Sequence, residues 1–199
     1  MNAYQVEVDE YQRVFDGYFK IDRYTFRHSL FAGGMSSQVV REVLERGQVA
    51  AVLPVDPQRR RLVLIEQFRP GAYAVGWDPW LLECVAGIIE SGEQADDVSR
   101  REAQEEAGCS IDDLILMHRF LATPGACSES VHLYCGRIDS EHVGGLHGLA
   151  HEGEDIKAAC YSYEQAKAML AGGKILNAIT LIALQWFFLN QEKIESQWA

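Results

Sequence analysis

The sequence predicts an α/β fold preceded by a small antiparallel β lobe. Three observations point there: aromatic and charged residues alternate through the first 47 positions, β-branched runs begin at Gln48, and helical periodicity is confined to the middle and end of the chain. With 199 residues and 48% hydrophobic content, the chain is long enough for one substantial core. Residues 1–47 are assigned to the N-terminal lobe and residues 48–199 to the main domain.

Taken in order, YFKIDRYTFRHSLF reads as strand, AGGMSS as a turn and QVVREVLERG as a further strand. VAAVLPVD and RLVLIEQF, split by DPQRR, read as a hairpin with Pro57 in its connection. A loop, RPGAYAVGWDPW, leads to the strand-like LLECVAG, and a helix from about Gln94 to Ala107 stops at Gly108. LMHRFLAT and SVHLYCGRI are two more strands. EQAKAMLAGGK is a short helix closed by glycines, and NAITLIALQWFFLNQE a longer one, apolar around most of its circumference and so buried.

Charge narrows the function. The 29 acidic against 18 basic residues give a net charge of -11, which opposes sequence-independent binding to a nucleic-acid polyanion. A small anionic substrate would then need a few arginines or divalent metals held by carboxylates. The start, MNAYQVEVDEYQRVF, lacks the basic and apolar segments of a signal peptide, and no apolar run reaches the length of a membrane span, so a cytoplasmic protein is expected, with no membrane partner. Five cysteines without a C-x-x-C pair read as reduced thiols rather than zinc ligands or a disulfide framework.

The chemistry concentrates near residue 100. Glu102, Glu105 and Glu106 stand at i, i+3 and i+4 of the expected helix, so the three carboxylates share one face. Clustered hard oxygen ligands suit Mg²⁺ or Mn²⁺, whose charge would relieve their mutual repulsion. Outward from them, Gly87, Glu93, Arg101, Glu102, Glu105, Glu106 and Gly108 fit the spacing G-x5-E-x7-R-E-U-x-E-E-x-G-U, with Ala103 and Cys109 at the two apolar positions U. In this pattern the chain resembles the Nudix hydrolases.

The resemblance implies an α/β/α sandwich around a mixed sheet, with the metal site on the strand, loop and helix of residues 80–109. It implies that Glu93 braces the loop through Arg101, that Gly87 and Gly108 are structural, and that Glu102 and Glu106 ligate Mg²⁺ (Mn²⁺ being the alternative) together with the carbonyl of Ala86. Glu105 is a further ligand or a base in some members. The metal would neutralise a diphosphate and activate a water that attacks phosphorus.

Pro124, sixteen residues beyond Gly108, resembles a marker of ADP-ribose pyrophosphatases. REVLERG, VLIEQFR, TPGACSE, HGLAHEGEDI and NAITLIALQW extend the likeness to the bacterial group of those enzymes over nearly the whole chain. This implies Glu152 as general base and Glu154 as an added ligand; Glu129 is another candidate base and substrate contact. It also implies Arg69 as a substrate contact, with Arg41 and Tyr18 acting on adenine or phosphate from the partner subunit of a homodimer. Histidines 147 and 151 sit in a segment read as loop, without a third soft ligand. Two alternatives stay open: another nucleotide sugar such as GDP-mannose as substrate, or a noncatalytic module that binds a nucleotide.

Overall fold

A computed structural model of the chain describes residues 4–149, 151 and 153–199. The chain divides into two units. The smaller ends at Gly47 and takes in Leu121–Ser130; the larger comprises Gln48–Phe120 and Val131–Ala199.

The smaller unit is an antiparallel sheet in the order β1-β2-β3, formed by Val6–Asp16, Lys20–His28 and Val39–Glu45. Side-chain pairs across neighbouring strands hold it: Arg13 clamps the buried Asp22 through two hydrogen bonds of 2.8 and 3.1 Å, and Arg27 reaches Asp9 at 2.8 Å. The segment Leu121–Ser130 is tied to β3 through its backbone, with Leu44 N–H donating to the Ala126 carbonyl at 2.9 Å and Ser128 N–H to that of Leu44 at 3.0 Å.

The larger unit is built on β4 (Gln48–Asp56), β5 (Arg61–Phe68), β6 (Trp80–Glu83), β7 (Val85–Ile89), β8 (Asp113–Leu121), β9 (Ser130–Arg137), β10 (Gly145–His147) and β11 (Ile156–Ser162). They form one mixed sheet in the order β10-β11-β5-β4-β9-β8, with β6 on β5 and β7 on β4. Helices α1 (Pro70–Ala74), α2 (Ala95–Ala107), α3 (Tyr163–Ala171) and α4 (Ala178–Gln197) complete it.

The apolar runs have a physical reason. Ala51, Leu53, Val55, Leu62 and Leu64 project into the core under α3 and α4, whereas Val52, Val63 and Ile65 project into the core under α2. A sheet covered on both faces has no solvated side, so β4 and β5 read as continuous rather than alternating hydrophobics. Each fully buried branched side chain contributes about 1.5–3 kcal/mol. The cores include Cys84 and Cys135 on one side and Cys109 on the other, packed as small apolar groups.

The hairpin of β4 and β5 stays paired only next to its turn, at Val55 with Leu62 and Asp56 with Arg61. Beyond that the strands splay: β4 pairs with β7 over Gln48–Val52, and β5 pairs with β6 over Ile65–Phe68. Pro54, with no N–H to give, falls between these two registers of β4. LLECVAG, expected as one strand, is therefore two, broken at Cys84, whose N–H donates instead to Thr180 Oγ1 of α4 at 2.8 Å.

Helix α2 lies within one residue of expectation, and Gly108 ends it in the left-handed region at φ 63°. Three elements were not foreseen: α1 inside the Gly- and Pro-rich loop, the short β10, and β11, whose IKAACYS run pairs along β5. His147, read as a loop residue, is in β10.

Candidate active site

The splayed hairpin delivers β7 and the loop after it to the face covered by α2. Along β7, Ala51 of β4 faces Ala86 and Ala50 faces Gly87, which fixes these two positions in register. Helix α2 lays Glu102 and Glu106, one turn apart, against them. The Ala86 N–H donates to the Glu106 carboxylate at 3.1 Å. A Cβ on Gly87 would overlap the Glu102 side chain where it now lies, so any larger residue would make that side chain shift.

Electrostatics at this contact are unusual. Glu106 is 3% exposed, and burial pushes its pKa up to about 8, eased by the Ala86 N–H and aggravated by Glu102 and Glu154. Burial likewise raises Glu102; Arg101 opposes the shift, while Glu105 and Glu154 add to it. Two buried carboxylates with raised pKa and further carboxylates beside them are a seat for a cation.

Arg101 spreads over the acidic group, lying 2.8 Å from Glu102, 3.0 Å from Glu105 and 3.6 Å from Glu93. Glu154 reaches back along its own loop, accepting from the Leu149 N–H at 3.1 Å. Gly108 runs close to His147: a Cβ there would lie 2.9 Å from the imidazole Cε1.

Among the described residues, no three His, Cys, Asp or Glu side chains stand as a preformed cage. The donor set nevertheless fits a hard divalent cation, since Glu102, Glu106 and Glu154 offer only oxygen and share one patch of repulsion. Ala86 makes its side-chain contact here through its N–H, to Glu106.

Arg69 stands beside this patch at the end of β5. Its Nε and Nη2 donate to Glu83 at distances of 2.6–3.1 Å, and Glu106 and Glu154 add attraction. Glu83 is 2% exposed and also accepts from Asn177 Nδ2 at 3.0 Å. Asn177 in turn caps α4 by accepting from the Thr180 N–H at 3.0 Å. The Nη1 edge of Arg69 has no hydrogen bond among the described residues, so the guanidinium is oriented by one edge with the other available.

Sequence reasoning missed Glu83 and Asn177. A carboxylate inside the apolar run LLECV was a usable signal, because a charge there must find a partner.

Of the remaining expected residues, one is not described and three belong to the smaller unit. Glu152 lies outside the described residues. Glu129, Arg41 and Tyr18 belong to the smaller unit. There Glu129 lies 3.6 Å from Arg46, Arg41 is on β3 with Nη1 on the Val40 carbonyl at 2.8 Å, and Tyr18 is exposed in the turn between β1 and β2.

The chain is similar to known proteins over most of its length. The ADP-ribose pyrophosphatase of Escherichia coli (strain K12) is 47% identical over 194 residues, covering 98% of this chain and 93% of that protein. The GDP-mannose pyrophosphatase of Yersinia enterocolitica is 31% identical over 170 residues, covering 85% and 87%. A crystal structure of an ADP compounds hydrolase shares the fold with a TM-score of 0.71 and 18% identity, over 97% of this chain and 96% of that one. The NUDIX domain model matches residues 45–179. With the box residues meeting where β7 faces α2 and the family pattern spanning two thirds of its length, the chain belongs to the NUDIX family.

Proposed function

We propose that this protein hydrolyses the pyrophosphate bond of ADP-ribose to give AMP and ribose 5-phosphate. The observation that carries the reading is the complete carboxylate set on α2, seated against Ala86 and Gly87 next to an oriented arginine, in a chain 47% identical to an ADP-ribose pyrophosphatase. The intact set of Glu102, Glu105 and Glu106 supports catalysis over a binding module.

Mg²⁺, or Mn²⁺ in its place, would be held by Glu102, Glu105, Glu106 and Glu154 with the Ala86 carbonyl. When bound, it supplies positive charge against the diphosphate and acidifies water. Arg69 presents its Nη1 edge to a phosphate oxygen. A water oxygen bonds to phosphorus as the bond to the bridging oxygen breaks, and the water's proton passes to a carboxylate base. Glu152 is the base we favour, with Glu129 and Glu105 as the other candidates. Arg41 and Tyr18 bind the adenosine end from the partner subunit of a homodimer. The net charge of -11 supports a small-molecule substrate rather than nucleic acid, and the cytoplasm is the compartment we propose; among the described residues no helix is long and apolar enough to cross a membrane.

The test is AMP release from ADP-ribose by purified protein with Mg²⁺ and with EDTA, beside GDP-mannose and NADH. Metal-dependent AMP well above the other two is expected. Faster cleavage of GDP-mannose would keep the hydrolase and replace its substrate, and no cleavage of any compound would leave a binding module.

A further inference from the structure

About a third of a turn around α2 from Glu102 and Glu106, Asp96 and Arg100 face a different feature, a cavity of about 420 Å³ that also takes in Arg119, His132 and Tyr134 from β8 and β9. Its volume is in the range of small-molecule sites. None of its lining residues is part of the acidic patch.

Several donors in this cavity lack partners. Arg119 makes no hydrogen bond or ion pair among the described residues. His132 Nδ1 is buried without a hydrogen-bond partner. Burial, reinforced by Arg119, lowers the pKa of His132, so its ring is neutral and carries one N–H at pH 7. No side chain caps the first-turn amides of α2, where Gln94 and Ala95 border the cavity, although Asp96 and Asp97 lie in that turn.

The lining also carries two acidic residues. Asp113 is already engaged, accepting from Trp198 Nε1 at 2.8 Å and from the Leu114 N–H at 2.9 Å. Arg100 gives one N–H to the Ile111 carbonyl and keeps its charge. Asp96 shares the lining with the guanidinium groups of Arg100 and Arg119.

We propose that this cavity is a second ligand site, which takes the phosphate group of a small phosphate monoester. Arg119 and the first-turn amides of α2 hold the phosphate, His132 donates its ring N–H, and Leu114 and Leu116 give the organic part an apolar wall. The proposal does not depend on which diphosphate the acidic patch cleaves.

The test is a ¹⁵N-correlation NMR titration of the full chain in EDTA, using ribose 5-phosphate, inorganic phosphate and ribose as separate probes. Saturable shifts of the Gln94–Val98 amides are expected with ribose 5-phosphate, weaker ones with inorganic phosphate and none with ribose. Arg119→Gln, with its spectrum otherwise superimposable on wild type, should weaken binding about tenfold or more, roughly one lost charge-assisted pair. Asp96→Asn should tighten it, and Glu106→Gln should bind as wild type. Absence of saturable shifts, Arg119→Gln binding within about twofold of wild type, or loss of binding in Glu106→Gln would overturn the site. Inorganic phosphate binding as tightly as the monoester would overturn the ligand assignment.

Discussion

Glu106 and Arg69 show how differently single residues can be read. Glu106 was legible because its spacing from Gly87 and Arg101 is fixed along the chain, and the structure adds the Ala86 N–H that orients it. Exchanging it for Gln keeps its shape and removes its charge. Glu106→Gln should melt no lower than wild type, since a buried carboxylate repelled by its neighbours is relieved, and should lose about 10³-fold or more in turnover. Turnover within a few-fold of wild type would remove Glu106 from the ligands. Arg69 was expected to meet substrate, but its partner Glu83 could not be assigned from spacing, because a helix, a loop and part of a strand lie between the pair. Arg69→Ala leaves Glu83 buried with only Asn177; because Arg69 is itself 42% exposed, the cost is about 1–3 kcal/mol. A melting temperature unchanged from wild type would mean that the pair holds nothing together.

Elements whose character depends on their own residues were the legible ones. Helix α2 ends at Gly108 because a glycine takes the left-handed conformation readily; α4, expected to be buried around most of its circumference, buries only Thr180, Ala183, Leu184, Phe187 and Ile194 and leaves Leu189 85% exposed. Strand β11 was missed because IKAACYS is a strand only through its pairing with β5, and LLECVAG was taken whole because the change of partner at Cys84 is a property of β4 and β5. The turn between β4 and β5 carries a pH-dependent element. Burial works against the charge of Asp56, yet the Arg59 N–H, the Ser140 hydroxyl and N–H and the Arg59 guanidinium together outweigh it and hold its carboxyl below the usual range. A depressed carboxylate contributes stability that is full above its unfolded pKa of about 3.9 and is lost as pH falls through the folded value. Asp56→Asn should therefore cost roughly 2–4 kcal/mol at pH 7, and the gap to wild type should close below about pH 4. A gap constant with pH, by chemical denaturation, would show that the charge is irrelevant.

For the whole molecule, the open question is what β1 meets. Val6, Val8, Tyr11 and Phe15 are each more than half exposed on an 11-residue edge strand, a surface that isolated chains seldom leave bare. Sedimentation equilibrium at micromolar concentration should give about twice the 22.3 kDa of one chain. A single-chain mass would remove the partner subunit as the source of Arg41 and Tyr18. The chain by itself determined the α/β class, the order of its main elements and the carboxylate set of α2, because hydrophobic period, turn residues and motif spacing are all local properties. Only the tertiary structure decided that β4 and β5 splay to admit β6 and β7, that Glu83 and Asn177 orient Arg69, and that Arg119 and His132 share a cavity with the start of α2. These are contacts between residues distant in sequence, and hydrophobic pattern says which side of a strand is buried but not which partner it is buried against.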